Sequence, residues 1–269
     1  MQNHAARRVL VTWLWVVLVV LALPILAMVV LSFNESRYGT LPFRFSTHWY
    51  ATLSGDASLI GALRTSITLA AEVTVLAVVI GTLLSFGLAK AAVVVKQPVN
   101  GLLLSMLTVP ALILAAGLVS VFSFVGLSQT TLPLVLSSVV TSMPFVVLVV
   151  SGRLQELDPR FGEAARSLGA GPLRTFATVT VPLMAPAIVA GALLAFVMCF
   201  NNFAIQLFLA PIGVSTLPVQ IYSMVRLGVT PDVNALGSII VGSTIVLILL
   251  LHALTGNAAK LFTSQNGAR

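Results

Sequence analysis

The chain has 269 residues, of which 58% are hydrophobic and only 8% are charged, and its mean hydropathy is +1.09. A soluble domain carries about 25% charged residues, so these side chains cannot cover a water-exposed surface, and lipid must be the main solvent. The net charge of +7 does not indicate nucleic acid, because the basic residues are dispersed between apolar runs.

Six apolar runs follow one another along the chain, and each is long enough to cross a bilayer as a helix. Lipid offers no hydrogen-bond partners, so each run must satisfy its own backbone groups. The predicted spans are Val9–Phe33, Ala62–Ala89, Val99–Val125, Thr131–Ser151, Pro186–Ala210 and Val233–Leu254. The first is longer than a signal-peptide core and is predicted to remain uncleaved. The sequence therefore predicts an all-α membrane protein in which residues 1–269 form one transmembrane domain.

The distribution of Lys and Arg predicts the orientation. Basic residues are enriched on the cytoplasmic side of membrane proteins. With the N-terminus inside, ten of the 14 lie in inner segments: Arg7, Arg8, Lys90, Lys96, Arg153, Arg160, Arg166, Arg174, Lys260 and Arg269. The outer segments contain the other four: Arg37, Arg44, Arg64 and Arg226. Both termini are therefore predicted to be cytoplasmic, as an even number of spans requires.

Two long segments are predicted to lie outside. Asn34–Gly61 contains aromatic residues, including Trp49 and Tyr50, of the kind found at bilayer surfaces. Pro211–Asp232 is rich in Pro and Gly, which break helices, and is predicted to be re-entrant or interfacial.

The highest density of charge lies in the inner segment Arg153–Arg174. Asp158 can cap a helix N-terminus, and Pro159 suits the first helical position. Gly169 can end the helix in a left-handed turn, so a short helix is predicted over Pro159–Leu168. A helix of about ten residues is not stable alone in water, so it must pack on its own protein or on a partner. An ordinary amphipathic loop helix is the alternative.

The same segment carries a long spaced motif. Glu163-Ala164-Ala165, three residues, Gly169, nine residues and then Val179-Thr180-Val181-Pro182 resemble the EAA motif of binding-protein-dependent ABC importer permeases, E-A-A, three residues, G, nine residues, I-x-L-P. Valine replaces both aliphatic positions of the family pattern. The surrounding residues also resemble the family, most closely the second permease subunit of spermidine/putrescine-type importers: Leu157-Asp158-Pro159, Ser66, Thr216–Arg226 and Asn234-Ala235-Leu236.

This resemblance implies a function and a set of partners. The loop 153–182 would be a coupling segment that docks on a separate ATP-hydrolysing subunit through Asp158, Glu163, Ala164, Ala165, Gly169 and Pro182. The assembly would comprise an ATPase dimer, a second homologous permease and an extracytoplasmic solute-binding protein, in a bacterial inner membrane. This chain would be non-catalytic and hold no cofactor, since ATP and magnesium would bind the ATPase. The sequence has no G-x-x-x-x-G-K-[ST] phosphate loop.

Four polar residues within the spans are candidates for the solute pathway. Glu72 lies in the second span, where an ionisable group is costly and usually faces a bundle interior or a cavity. It either lines the pathway and attracts a cation, or pairs with a neighbouring helix or subunit or becomes neutral. Asn201 and Asn202, with Gln206 four residues further on, lie in the fifth span. They either line the pathway or pack between helices.

Polyamine-type relatives often carry acidic residues where this chain has Asn201 and Asn202, so polyamines and other small polar solutes both remain open. Two other classes of membrane protein are alternatives. A secondary transporter independent of ATP often shows internal repeats and more intramembrane charges, and a membrane enzyme needs a clustered catalytic set. The sequence shows none of these features, and its three histidines lack metal-ligand spacing.

Overall fold

A computed structural model describes residues 4–36, 43–127, 130–228 and 231–245. Within these ranges the structure is helical and has no strands, as predicted, apart from one isolated bridge between Asn34 and Phe45. The elements in chain order are α1 His4–Ser32, α2 His48–Gly55, α3 Ala57–Lys90, α4 Val93–Thr108, α5 Ala111–Phe124, α6 Leu132–Glu156, α7 Arg160–Ser167, α8 Pro172–Thr175, a π-helix Phe176–Thr180, α9 Val181–Phe200, α10 Phe203–Leu209, α11 Leu217–Leu227 and α12, residues 231–245.

Four helical stretches in the described residues are long and apolar enough to cross a membrane. They are Leu10–Ser32, Ala57–Lys90, Leu132–Glu156 and Pro172–Phe200. The bent pair α4 and α5 raises the number to five if the two helices form one span. The sixth predicted span, Val233–Leu254, lies within the described residues only as far as residue 245. The count of six therefore stays a prediction.

The third span was predicted as one helix over Val99–Val125, and that prediction is wrong. The structure has two helices, α4 and α5, and the chain bends by 112° between them. Val109 precedes Pro110 and is extended, with φ −69° and ψ 130°. A proline ring disfavours helical geometry in the preceding residue, which explains why the helix stops here.

Both ends of the predicted fifth span, Pro186–Ala210, also differ from the structure. The helical stretch starts earlier, at Pro172, and passes through Pro186, since prolines are tolerated inside membrane helices. It ends at Phe200, and a new helix starts at Phe203. The Asn202 side-chain oxygen accepts a hydrogen bond from the Ile205 N–H at 3.3 Å and so caps the new helix.

The chain divides into two compact units, of which the larger is Ser58–Gln220. Its core centres on Val146 of α6, which is fully buried among α6 and α9 side chains and Ala77 of α3. A Cβ atom added to Gly81 or Gly191 would lie 3.0 Å or 3.4 Å from the nearest atom of Val146. These two glycines therefore permit the close helix approach that is typical of membrane bundles.

The other unit combines the described parts of residues 1–57 with those that follow residue 220. Its first helix has an 18-residue apolar window with no buried residues. After this helix, Phe33 stacks on Phe45 with ring centroids 5.3 Å apart. The Trp49 Nε1–H donates to the Asn34 carbonyl at 2.8 Å. Aromatic packing and this bond hold the described part of the segment that follows α1.

Candidate functional site

The helix α7 begins where its predicted cap lies. The Asp158 Oδ1 atom accepts a hydrogen bond from the Arg160 N–H at 2.9 Å, which satisfies one of the free donors of the first turn. Pro159 stands before the helix with φ −57° and ψ −25°, angles already compatible with a helix. The observed helix, Arg160–Ser167, is one residue shorter at each end than the predicted Pro159–Leu168.

The predicted left-handed turn at the other end of α7 is confirmed. Gly169 has φ +84°, which L side chains rarely adopt. Its N–H donates to the Arg166 carbonyl at 2.9 Å, and the Ala170 N–H donates to the Ala165 carbonyl at 3.1 Å. This pair of bonds is a Schellman motif. It ends the helix sharply and fixes the direction in which the chain leaves it.

The residues of the spaced motif lie on the surface of α7. Glu163 and Ala164 are exposed and Ala165 is half-buried. Glu163 makes no ion pair within the described ranges; the pair found there joins Arg153 and Glu156 at 3.1 Å. The motif's small and charged side chains are therefore available to a partner.

Large apolar side chains are also exposed on and beside α7. Leu168 is 89% exposed, Leu173 85% and Phe161 54%. Phe161 and Leu168 lie in a charged segment outside the apolar candidate spans, whereas Leu173 lies at the start of the candidate span Pro172–Phe200. Exposed apolar groups rimmed by charge mark protein–protein contacts.

A π-helix, Phe176–Thr180, connects α8 to α9, and sequence reasoning missed it. The Val181 N–H donates to the carbonyl of Phe176, five residues earlier. Pro182 follows and has no N–H, and its ring would clash with the carbonyl four residues before it. The wider π turn relieves that clash, which gives Pro182 a structural reason for its place in the motif. Such single-turn bulges are frequent at functional sites.

Three of the four pathway candidates lie near the break between α9 and α10, and the fourth, Glu72, lies in α3. Glu72 lies on the exposed side of α3. Asn201 is exposed and donates to the Val197 carbonyl of its own helix at 3.0 Å. Asn202 is the N-cap of α10 and Gln206 lies within α10, so the predicted fifth span is not one continuous helix through these residues.

Gln206 is fully buried at this break. Its Nε2 donates to the Cys199 carbonyl at 2.7 Å and to the Phe200 carbonyl at 3.4 Å, and these bonds tie α10 to the last turn of α9. The Asn202 Nδ2 donates to Thr141 Oγ1 of α6 at 3.2 Å. Thr141 was not predicted as part of this arrangement. The adjacent asparagines were the available signal, since Asn favours helix caps.

The structure joins two segments that were noted separately in the sequence. The Ser66 Oγ of α3 is buried and accepts a hydrogen bond from the Leu217 N–H at 2.7 Å. The Gln220 Nε2 donates to Ser58 Oγ at 2.9 Å. These bonds fix the start of α11 against the first turns of α3.

Comparison with known proteins gives one family. Residues 77–262 match the family model described as the binding-protein-dependent transport system inner membrane component. The spermidine/putrescine transport system permease protein PotC of Haemophilus influenzae is 34% identical over 243 residues, covering 90% of this chain and 95% of that protein. The putrescine transport system permease protein PotI of Escherichia coli K12 is 34% identical over 251 residues, covering 88% and 87%.

Solved structures share the fold. A chain of a bacterial ABC transporter involved in the import of the acidic polysaccharide alginate aligns with a TM-score of 0.69 and 16% identity, covering 95% of this chain and 98% of that one. A chain of an inward-facing methionine ABC transporter aligns with a TM-score of 0.56 and 17% identity, covering 76% and 98%.

Proposed function

The chain belongs to the family of binding-protein-dependent transport system inner membrane components, and from that premise we propose that it couples solute movement to ATP hydrolysis by a separate ATPase. It is a multi-pass inner-membrane permease. In the proposed mechanism the ATPase subunits move α7, and groups of spans then rock to expose the solute pathway to each side in turn.

The observation that carries the proposal is the surface of α7. This helix of eight residues is capped at its start by Asp158 and closed by Gly169, and it exposes Phe161 and Leu168 beside Glu163. Such a short helix has little stability of its own. A soluble partner with an apolar groove would bury both side chains, and Glu163 could pair with a basic residue at its rim.

The rest of the proposed assembly follows the resemblance. Six spans with both termini in the cytoplasm place α7 on the side of the ATPase dimer, and this orientation has ten of the 14 basic residues inside. A second, homologous permease completes the pathway. An extracytoplasmic binding protein delivers solute to the outer segments Asn34–Gly61 and Pro211–Asp232.

The proposed substrate is a polyamine or another small polar solute, on the basis of the PotC and PotI relatives. Glu72 supports a cationic substrate, because an exposed carboxylate on a membrane helix is costly unless it faces water or a partner. We place it at the junction with the second permease, lining the pathway. Asn201 could add a polar surface to the same pathway, whereas Asn202 and Gln206 primarily hold the break in the fifth span.

The test is co-purification of the ATPase with the permease, together with solute uptake. Glu163→Lys reverses a charge on α7, and we expect it to abolish stable association and to lower uptake at least tenfold. Glu156→Lys is the matched control, since it makes the same charge change at the end of α6, outside α7. It should retain association, because Glu156 makes only an exposed pair with Arg153.

The competing function is a secondary transporter, which would take up solute without the ATPase. Uptake that persists when the ATPase is absent would remove the proposal. Equal loss of association in Glu163→Lys and Glu156→Lys would show that α7 is not the specific contact.

A further inference from the structure

A cavity of about 220 Å³ lies between α3, α4 and α6, within the unit Ser58–Gln220. Five of its lining residues are polar: Ser85, Lys96, Asn100, Ser151 and Gln155. Pockets that hold drug-sized ligands measure roughly 300–1,000 Å³. This cavity is smaller, and its size fits a single polar group.

The cavity lies near the charged ends of α3 and α6 and beside Lys96 of α4. Its α3 residues Ser85, Leu88 and Ala89 directly precede Lys90, and its α6 residues Ser151, Leu154 and Gln155 surround Arg153. Helix α3, with 34 residues, is about 51 Å long at 1.5 Å per residue, whereas the hydrocarbon core is about 30 Å thick. The helix is longer than the core by enough for its charged end to reach the lipid headgroups.

The polar lining selects an anion. Lys96 contributes an ammonium group, and Asn100 and Gln155 contribute amide donors, while no carboxylate lines the cavity. Lys96 is half-buried and has no ion-pair partner in the part of the chain that the structure describes. A cationic solute such as a polyamine would be repelled here, so this cavity is distinct from the proposed pathway.

The inner wall of the cavity is apolar. Leu88 is buried and packs with Leu103 and Val147. Basic pockets between membrane helices on the cytoplasmic side are suited to lipid headgroups, and a lining that combines polar and apolar side chains matches the chemistry of a phospholipid.

We propose that the cavity between α3, α4 and α6 binds a phosphate group, supplied by an anionic phospholipid of the inner leaflet or by free phosphate. Lys96 pairs with the phosphate charge, and Asn100 and Gln155 donate hydrogen bonds to its oxygens. The cytoplasmic placement rests on the orientation proposed above.

The experiment uses the purified permease–ATPase complex and measures its thermal midpoint during titration with phosphatidylglycerol, phosphatidylcholine or sodium phosphate at constant ionic strength. Phosphatidylglycerol should raise the midpoint more than phosphatidylcholine, because the choline cation offsets the phosphate charge of the second lipid. A basic residue near the membrane surface contributes about 1 kcal/mol to lipid binding, so Lys96→Gln should weaken the apparent affinity about fivefold. A rise with sodium phosphate and not with phosphatidylglycerol would support the same site with free phosphate as its ligand.

Two variants serve as controls. Lys96→Arg keeps the charge and should retain most of the affinity. Lys90→Gln removes an equal charge outside the cavity lining and should change the affinity less than twofold. If Lys96→Gln does not assemble, Asn100→Leu removes a donor without a change in charge and should also weaken binding.

Equal weakening by Lys90→Gln and Lys96→Gln would indicate diffuse surface attraction and overturn the site, as would a complex that responds to neither phosphate source. A partner side chain found in the cavity would overturn it too. None of these results affects the proposed function, because ATP-driven uptake would remain intact. Conversely, uptake without an ATPase would remove the proposed function and leave phosphate binding measurable.

Discussion

Gly169 closes α7 with φ +84°, and a substitution there tests how much the coupling segment depends on one residue. For an L-residue this left-handed conformation costs roughly 1–2 kcal/mol. Gly169→Ala should therefore destabilise the end of α7 by that amount. Amide hydrogen exchange at positions 169 and 170 should accelerate about 5- to 30-fold. Hydrogen-exchange mass spectrometry of the assembled complex measures this change.

Gly171→Ala is the matched control for this prediction. Gly171 has φ −66° and ψ 163°, which alanine adopts without strain, and no heavy atom lies within 4 Å of an added Cβ. Exchange in α7 should stay within about threefold of wild type. If the two variants behave alike, the left-handed turn does not stabilise the helix.

Local residue chemistry is the part of the site that the sequence predicted best. The roles of Asp158 and Gly169 at the two ends of α7 were predicted and are confirmed, because capping depends on residues within a few positions of each other. The burial of Gln206 was not predictable. Its bonds to Cys199 and Phe200 exist only because the helix breaks between them.

At the scale of elements, the packing of α3, α6 and α9 around Val146 depends on two glycines. A Cβ on Gly81 would lie 3.0 Å from the Val146 Cβ, so a leucine at that position must displace α3 or force Val146 from its place. Overpacking of this kind costs about 1–3 kcal/mol. Gly81→Leu should lower the thermal midpoint and the monodisperse fraction in size-exclusion chromatography.

Gly87→Leu is its control, since Gly87 lies on the same helix, is exposed, and has no heavy atom within 4 Å of an added Cβ. This variant should behave as wild type. A midpoint for Gly81→Leu equal to that of Gly87→Leu would contradict the proposed close approach of α3 and α6.

The location of the apolar elements was predictable from composition, but their breaks were not. Apolar runs indicate where helices cross lipid, because every backbone group must be satisfied within the segment. Pro110 ends α4, whereas Pro186 lies inside a continuous helix. The same residue type gave opposite outcomes, so the presence of a proline does not by itself predict where a membrane helix breaks.

At the scale of the whole molecule, the family and the all-helical membrane fold agree with the prediction. The orientation and the sixth span remain predictions, since the described part of the last predicted span stops at residue 245. Partner contacts also lie beyond what one chain displays. Exposed side chains such as Leu168 support the proposed contact but do not identify its surface on the other protein.

The central claim is that α7 contacts the ATPase, and site-specific photo-cross-linking in the assembled transporter tests it most directly. A benzoylphenylalanine residue replaces Leu168, which is 89% exposed beside α7, or Ile212, which is 95% exposed in the predicted outer segment. We predict an ATPase adduct from position 168 and none from position 212. An ATPase adduct from position 212, or none from position 168 in a complex that still transports solute, would contradict the account.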